Sequence, residues 1–184
     1  MTETTQAPGC RASRAFIGVG SNLGDRLENL RRAAAALLES AGVDSLVCSP
    51  IYETCPVGPV GPSNFLNAVF ELRVHLSPRQ LLRRLLEVED ALGRRSPRSG
   101  PRTIDLDLLF YDDLAFQSGD LVVPHPRLIH REFVLRPLVD LAPDLCHPEC
   151  GSSAAELLDA LVTRGEIIQP WPESLSLEPE ASRS

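Results

Sequence analysis

The sequence contains no lysine, and all 18 of its basic residues are arginine. This absence excludes mechanisms that need a lysine, such as the phosphate-binding lysine of a P-loop and the lysine that forms a Schiff base with a carbonyl substrate or pyridoxal phosphate. Arginine stays charged at physiological pH and binds phosphate groups through two parallel hydrogen bonds. Any phosphate chemistry in this chain must therefore depend on arginine and on metal ions.

Long apolar runs are also missing. No stretch approaches the roughly 18 apolar residues that a membrane-spanning helix needs, and residues 1–13 lack the apolar core of a secretory signal. The five cysteines are an odd number without the spacing of a disulfide framework, which is typical of reduced thiols. We therefore expect a cytoplasmic protein that does not contact a membrane.

One cysteine cluster has an alternative interpretation. Cys146, His147, Glu149 and Cys150 lie close enough in the sequence to supply half of a zinc site. A structural zinc site needs four ligands, and no second cluster in the sequence completes this one. A loop before a helix is the simpler interpretation, and the zinc site stays open as the alternative.

The length of 184 residues and the hydrophobic content of 43% are typical of one domain with its own core. We assign that domain to residues 14–168 and expect residues 1–13 and 169–184 to be disordered tails. The net charge of −7 argues against binding to nucleic acid. Against this acidic background, residues 94–102 contain four arginines and no acid, a positive patch that favours anionic ligands.

Apolar spacing and capping residues predict an alternation of strands and helices. The predicted strands cover residues 14–20, 45–53, 65–75 and 102–111. The predicted helices between them cover residues 25–40 and 78–92. This β-α-β-β-α-β order is that of a ferredoxin-like α+β domain. A hairpin and two further helices, at residues 132–141 and 152–161, are predicted to follow the core.

The most informative segment is the predicted strand that contains Asp105 and Asp107. Successive strand side chains point to opposite faces, so the two carboxylates share one face. Two neighbouring carboxylates repel each other unless a cation lies between them, and Mg²⁺ prefers oxygen ligands. The pair therefore indicates a metal site beside the arginine patch. The apolar residues predicted to share the opposite face are Ile104, Leu106, Leu108 and Phe110.

Spacing alone supports a second interpretation of the same strand equally well. Asp105 and Asp107 would then form a solvated face that is salt-bridged to Arg102, because strands that alternate acid with leucine are common in half-exposed sheets. Gly100 and Pro101 before the strand, together with the arginine-only loop, favour the metal site.

Several segments resemble one protein family, in the same order along the chain. Residues 98–109, which include both aspartates, resemble the signature of the 6-hydroxymethyl-7,8-dihydropterin pyrophosphokinases. Residues 16–25 are similar to the family's first strand and turn, residues 52–59 to its pterin loop, and residues 65–67 to its pterin-contacting strand. Residues 123–127 and 131–138 are similar to its last block.

The resemblance implies a ferredoxin-like enzyme of folate biosynthesis that binds ATP with two magnesium ions. Such an enzyme transfers the β,γ-diphosphate to the hydroxymethyl group of the pterin and releases AMP. It implies that Asp105 and Asp107 bind the metal ions, and that Arg94 and Arg102 hold the diphosphate. The residues that would also line the nucleotide site are Glu89, Arg95, Arg98, Leu108, His125 and Arg131. Those that would form the pterin pocket are Thr54, Val57, Phe65, Asn67 and Phe133.

The chemistry of the pocket residues fits this assignment to different degrees. The amide of Asn67 offers both a donor and an acceptor to the edge of a pterin, and a buried amide without partners would be costly. Phe65 and Phe133 offer flat faces for stacking, but taken alone each is more typical of a hydrophobic core. We expect a monomer whose partners are small-molecule substrates.

Two other functions are compatible with a ferredoxin-like fold. A module that senses a small metabolite without chemistry would explain the fold, but not the paired aspartates or the arginine loop. A two-metal nuclease would explain the aspartates, but the acidic balance of the chain argues against it.

Overall fold

The computed structural model describes residues 11–55, 63–93, 102–161 and 168–175. Its strands are β1 (Ser13–Ser21), β2 (Val43–Cys48), β3 (Tyr52–Thr54), β4 (Phe65–Val74), β5 (Asp105–Tyr111), β6 (Phe116–Ser118), β7 (Leu121–Val123) and β8 (Ile168–Pro170). Its α-helices are α1 (Arg26–Leu38), α2 (Pro78–Ala91), α3 (Glu132–Leu141) and α4 (Ala154–Ala160). A short 3-10 turn at Leu128–His130 precedes α3.

The main sheet is antiparallel, with the strand order β5-β1-β4-β3-β8 and with β2 pairing the other half of β4. This arrangement confirms the predicted α+β class and its β-α-β-β-α-β order, with β2 and β3 together in the place of the second predicted strand. Strands β6 and β7 form the predicted hairpin. In the described part of the chain, no helix is long and apolar enough to cross a membrane.

The helices cover both faces of the sheet and make two cores. α1 begins at the cap residue Asp25, and α2 begins at a capping box formed by Ser77 and Gln80. These two helices bury residues such as Leu30 and Leu85 against one face of the sheet. α3 and α4 pack on the opposite face, where Leu135 contributes to a separate cluster. Asp105 and Asp107 lie on the α3 face of the sheet.

The predicted strand at residues 45–53 is wrong as a single element, because the chain leaves the ladder at Ser49. The Ser49 hydroxyl accepts a hydrogen bond from the Val69 backbone N–H at 2.9 Å, in place of a backbone partner. Pro50 follows and has no N–H to donate, so the ladder is interrupted there. β2 and β3 are therefore separate strands along the same side of β4.

Strand β5 also departs from simple alternation. Ile17 pairs with Leu108, but Phe16 pairs with Phe110, so Leu109 is an extra residue in β5. Such a bulge reverses the side-chain alternation beyond it. Phe110 consequently packs in the α3 core with Phe16, rather than on the face of Leu106 and Leu108 as the sequence predicted.

Strand β8 extends past residue 168, the predicted end of the domain. Residues 168–170 pair with β3, and the side chain of Leu175 is only 8% exposed. Composition alone predicted a disordered tail from residue 169, because the segment is polar and has no apolar period. Within it, residues 169–175 are placed by contacts with distant parts of the chain.

Candidate functional site

Asp105 and Asp107 lie on the α3 face of β5, directly across from two glycines of β1. The strand register pairs Asp105 with Gly20 and Asp107 with Gly18. The predicted projection of both carboxylates to one face is confirmed, since the intervening Leu106 belongs to the core on the other side. Their side chains are 22% and 40% exposed, so both are open to a ligand.

Of these two glycines, Gly20 leaves space for a side chain of the neighbouring strand β4. A Cβ at Gly20 would lie 2.9 Å from Oδ1 of Asn67, and one at Gly18 would meet the Leu109 side chain at 3.4 Å. Neither glycine requires a backbone conformation that other residues avoid, so Gly20 serves to leave room for the Asn67 amide rather than to bend the chain. Sequence reasoning missed this role, although the alternating Gly18-x-Gly20 opposite Asp-x-Asp was the available signal.

Arg102 reaches the acid pair from the residue that precedes β5 by three positions. Its Nη1 donates to Oδ2 of Asp105. The Arg102 backbone is held on both sides by Asn22, whose Oδ1 accepts from the Arg102 N–H at 2.7 Å and whose N–H donates to the Arg102 carbonyl at 3.2 Å. Asn22 is 3% exposed and was not among the predicted site residues.

This ion pair is the contact that the alternative interpretation of a salt-bridged strand face also predicts. The geometry of Arg102 and Asp105 therefore does not separate the two interpretations. On the other side of the acid pair, near Asp107, the site also contains charged residues from a distant part of the chain.

Arg131 and His125 approach Asp107 from the segment before α3. Nη1 of Arg131 lies 3.9 Å from Oδ2 of Asp107. Burial lowers the pKa of Arg131, and the neighbouring Arg127 lowers it further, while both aspartates raise it. Burial is also the main cause that lowers the pKa of His125, and Asp107 opposes that shift. The site thus contains the partly desolvated guanidinium groups of Arg102 and Arg131 beside the carboxylates, where an anionic ligand would be strongly attracted.

Two of the predicted pocket residues, Asn67 and Thr54, meet two strands away from the aspartates. Asn67 pairs with Gly20 across β1 and β4, and its amide donates to the Thr54 hydroxyl at 2.7 Å. Asn67 is 7% exposed and Thr54 is 4% exposed, so this polar pair is enclosed. Phe65 and Phe133 are both partly exposed rather than buried, as stacking surfaces must be.

Two residues assigned to the nucleotide site have buried side chains. Glu89 is 1% exposed, and its carboxylate accepts from the Leu106 backbone N–H at 2.6 Å, which fixes β5 beneath the aspartates. Leu108 is 4% exposed and packs in the α1 and α2 core, on the opposite face from the aspartates. A contact between either side chain and a nucleotide stays a prediction, and the Leu108 side chain is not part of the site face.

Four predicted site residues lie outside the described residues: Arg94, Arg95, Arg98 and Val57. The remaining predicted residues converge on the α3 face, with the exceptions of Glu89 and Leu108.

The donor set of the acid pair fits a hard cation. Asp105 and Asp107 supply carboxylate oxygens, which Mg²⁺ prefers, and magnesium commonly takes only one or two protein carboxylates together with substrate phosphates and water. Among the described residues, no three His, Cys, Asp or Glu side chains come together as metal ligands. His147, which belonged to the alternative zinc cluster, packs edge-on against Phe110 at 5.7 Å between ring centroids.

Comparison with known proteins agrees with the motifs in the sequence. The model of the family described as 7,8-dihydro-6-hydroxymethylpterin-pyrophosphokinase (HPPK) matches residues 16–143. The 2-amino-4-hydroxy-6-hydroxymethyldihydropteridine pyrophosphokinase of Synechocystis sp. is 39% identical over 165 residues, which are 89% of this chain and 82% of that protein. The protein of the same name from Bacillus subtilis is 44% identical over 128 residues, covering 69% of this chain and 77% of its own length.

Other similar proteins are much longer than this chain. The folic acid synthesis protein fol1 of Schizosaccharomyces pombe is 41% identical over 152 residues, but the chain spans only 21% of its length. A crystal structure of an HPPK-DHPS protein in complex with substrates superposes with a TM-score of 0.66 at 13% identity, over 82% of this chain and 43% of that one. At that identity the structural likeness concerns the fold alone.

Proposed function

Because the chain belongs to the 7,8-dihydro-6-hydroxymethylpterin-pyrophosphokinase family, we propose that it transfers the β,γ-diphosphate of ATP to the hydroxymethyl group of 6-hydroxymethyl-7,8-dihydropterin. AMP is the second product, and the step belongs to folate biosynthesis. The proposal is supported by the named relatives, which match most of the chain. ATP is the co-substrate, and the pterin alcohol is the acceptor.

One structural observation links the proposed reaction to particular residues. Asp105, Gly20 and Asn67 lie in one row across β5, β1 and β4. Because neighbouring strands are about 4.8 Å apart, the Cα atoms of Asp105 and Asn67 are separated by about 10 Å, with a glycine between them. This spacing supports a polyphosphate at the aspartates and a heterocycle at the amide, with their reacting groups meeting over Gly20.

The chain's own residues contribute positioning and charge. The hydroxymethyl oxygen attacks the β-phosphorus, the bond to the oxygen that bridges the α- and β-phosphorus breaks, AMP leaves with that oxygen, and the hydroxyl proton passes to solvent. Arg102 and Arg131 lie beside the carboxylates and would neutralise the charge on the transferring group. Asn67 would hold the edge of the pterin, with Phe65 and Phe133 against its faces.

Asp105 and Asp107 would hold magnesium, and the family resemblance implies two ions. Bound there, the metal would neutralise phosphate charge and orient the leaving group. Arg102 would then exchange its carboxylate partner for phosphate oxygens, since guanidinium pairs with both groups in the same bidentate manner. The assignment of Arg94, Arg95 and Arg98 to the nucleotide, the monomeric state and the cytoplasmic location stay predictions.

The proposed activity is tested by incubating the purified protein with ATP, Mg²⁺ and the dihydropterin alcohol. We expect equimolar AMP and pterin diphosphate, detected by chromatography, and no AMP when the pterin is omitted. Formation of ADP instead of AMP would contradict the proposed transfer, and so would a complete absence of nucleotide turnover. Metal-independent binding of another metabolite without turnover would favour the ligand-sensing alternative.

Gly20→Ala is expected to lower kcat/KM for the pterin by about 10- to 100-fold, because a displaced contact of roughly 1 Å can have an effect of this size. The new Cβ would lie 2.9 Å from Oδ1 of Asn67 and turn the amide away from the pocket. Gly18→Ala is the matched control, since its Cβ would meet the Leu109 side chain at an ordinary 3.4 Å. Steady-state kinetics should show the Gly18 variant within a few-fold of the parent; equal losses in both variants would contradict this role for Gly20.

A further inference from the structure

The C-terminal segment at residues 168–175 lies outside the part of the chain that the family model matches, residues 16–143. It is nevertheless joined to the sheet through the pairing of β8 with β3. β3 has only three residues and pairs with β4 on its other side. So short a strand makes few hydrogen bonds of its own, and a second partner contributes a large share of what holds it in place.

Trp171 follows directly after β8 and makes the main contacts of this segment outside the strand pairing. Its backbone N–H donates to the Ile51 carbonyl at 2.8 Å, which continues the contact with the chain just before β3. The indole packs against the α1 core, and its ring centroid lies 5.3 Å from the guanidinium carbon of Arg26. An arginine over the face of a tryptophan is a favourable cation–π arrangement.

Arg26, the first residue of α1, connects Trp171 to the neighbours of two pocket residues. Its Nη1 donates to Oε1 of Glu53 at 2.6 Å and to the Asn64 carbonyl at 2.9 Å. Glu53 immediately precedes Thr54, and Asn64 immediately precedes Phe65. Surface cavities of about 490 and 350 Å³ border Arg26.

We infer that residues 168–175, acting through Trp171 and Arg26, brace the pterin pocket by holding Thr54 and Phe65 in their binding positions. This inference rests on the proposed function. Trp171 and Arg26 are positioning residues, because they act through β3 and the backbone at Asn64. Thr54 in turn fixes the Asn67 amide, which donates to its hydroxyl.

A second contact of the same segment does not belong to the brace. Arg31 and Glu173 approach to 3.5 Å, but their side chains are 42% and 57% exposed. An exposed ion pair of this kind contributes little. Glu173 therefore offers a matched control within the same segment.

The test is a comparison of Michaelis constants in full-length variants. Trp171→Ala is expected to raise the KM for the pterin about tenfold and to leave the KM for ATP within about twofold, because the brace contacts only the pterin side of the site. Arg26→Met, which keeps the apolar stem but loses the donors, should give the same selective rise. Trp171→Phe keeps a flat ring under Arg26 and should restore most of the affinity. Glu173→Gln should change neither constant.

The measurements are made at a temperature at which circular dichroism shows each variant to be folded. A similar rise in both Michaelis constants would overturn the brace, because it would indicate a general loss of structure. An unchanged pterin KM in the folded Arg26→Met variant would overturn it as well, whatever the stability of Trp171→Ala.

Hydrogen exchange separates this inference from the proposed function, since it needs no substrate. In Trp171→Ala the amides of Thr54 and Asn67 should exchange about tenfold faster than in the parent, while those of β1 that face β5 stay unchanged. Unchanged exchange at Thr54 and Asn67 would refute the brace even if AMP is formed. Faster exchange in a protein that forms no AMP would keep the brace and reject the activity.

Discussion

Replacing Asp107 with asparagine is expected to lower kcat for diphosphate transfer by about a thousandfold while the protein stays folded. The substitution keeps the shape of the side chain but removes one of the two anionic ligands for magnesium. Loss of a metal clamp on the transferring group removes several kcal/mol of transition-state stabilisation, and about 4 kcal/mol corresponds to a thousandfold in rate. Because Asp105 lies two residues away on the same face, removing a neighbouring negative charge should not destabilise the fold.

The control for this variant is Asp113→Asn, which removes an exposed acid from the turn that follows β5. Its turnover should match that of the parent within about twofold, since exposed charges far from a site have little effect. Rapid-quench measurement of AMP formation at saturating ATP and Mg²⁺ gives kcat for both variants. Retention of more than a tenth of the parental rate by Asp107→Asn would remove the metal role from this carboxylate.

Replacing Asn67 with leucine is expected to lower kcat/KM for the pterin by about 10³- to 10⁴-fold. A leucine of similar volume fills the space, but the polar edge of the pterin then loses its partner inside an enclosed pocket. Sites built to hydrogen-bond a ligand lose affinity by factors of this order when the hydrogen bond cannot form. The KM for ATP should change little, because Asn67 lies two strands from Asp105.

Thr54→Val provides a graded comparison for Asn67. It removes the hydroxyl that accepts from the Asn67 amide at 2.7 Å and leaves the amide itself. We expect a smaller loss, about tenfold, because the amide is present but less firmly oriented. If Thr54→Val is as impaired as Asn67→Leu, the hydroxyl rather than the amide would be the main recognition group.

The fold could be predicted wherever local signals agree with the tertiary structure. The cap at Ser77 and the apolar spacing that follows it identified α2, and the alternation of Asp105 and Asp107 with leucines identified the face of the acid pair. These features depend on residues close together in the sequence. The period of a strand or helix is fixed by backbone geometry, so it can be recognised without knowledge of the partners.

The features that sequence reasoning missed depend on contacts between distant segments. The bulge at Leu109 arises from the register of β5 against β1, and no local pattern marks it. β8 has only three residues, and its position depends on its pairing with the distant strand β3. The break at Pro50 did carry a local signal, because proline cannot donate to a ladder, and the prediction of one strand through residues 45–53 overlooked it.

In the functional site, too, residues marked by a local pattern were predicted and those that depend on distant contacts were missed. Arginine composition and the paired aspartates indicated anion and metal chemistry, and the family motifs named most of the residues on the α3 face. Asn22 was missed because its function is to hold the Arg102 backbone, 80 residues away. Gly20 was missed because its role is to leave room for the Asn67 amide, which becomes visible only when the strand register is known.

The central claim is that Asp105 and Asp107 hold divalent cations against the phosphates of ATP. A crystal structure with Mn²⁺ and a non-hydrolysable ATP analogue tests it most directly, because anomalous scattering locates manganese independently of the model. We expect anomalous peaks within about 2.3 Å of oxygens from both carboxylates, with analogue phosphate oxygens completing the coordination. Manganese bound to the phosphates alone, with Asp105 still paired to Arg102 and Asp107 turned to solvent, would contradict the claim.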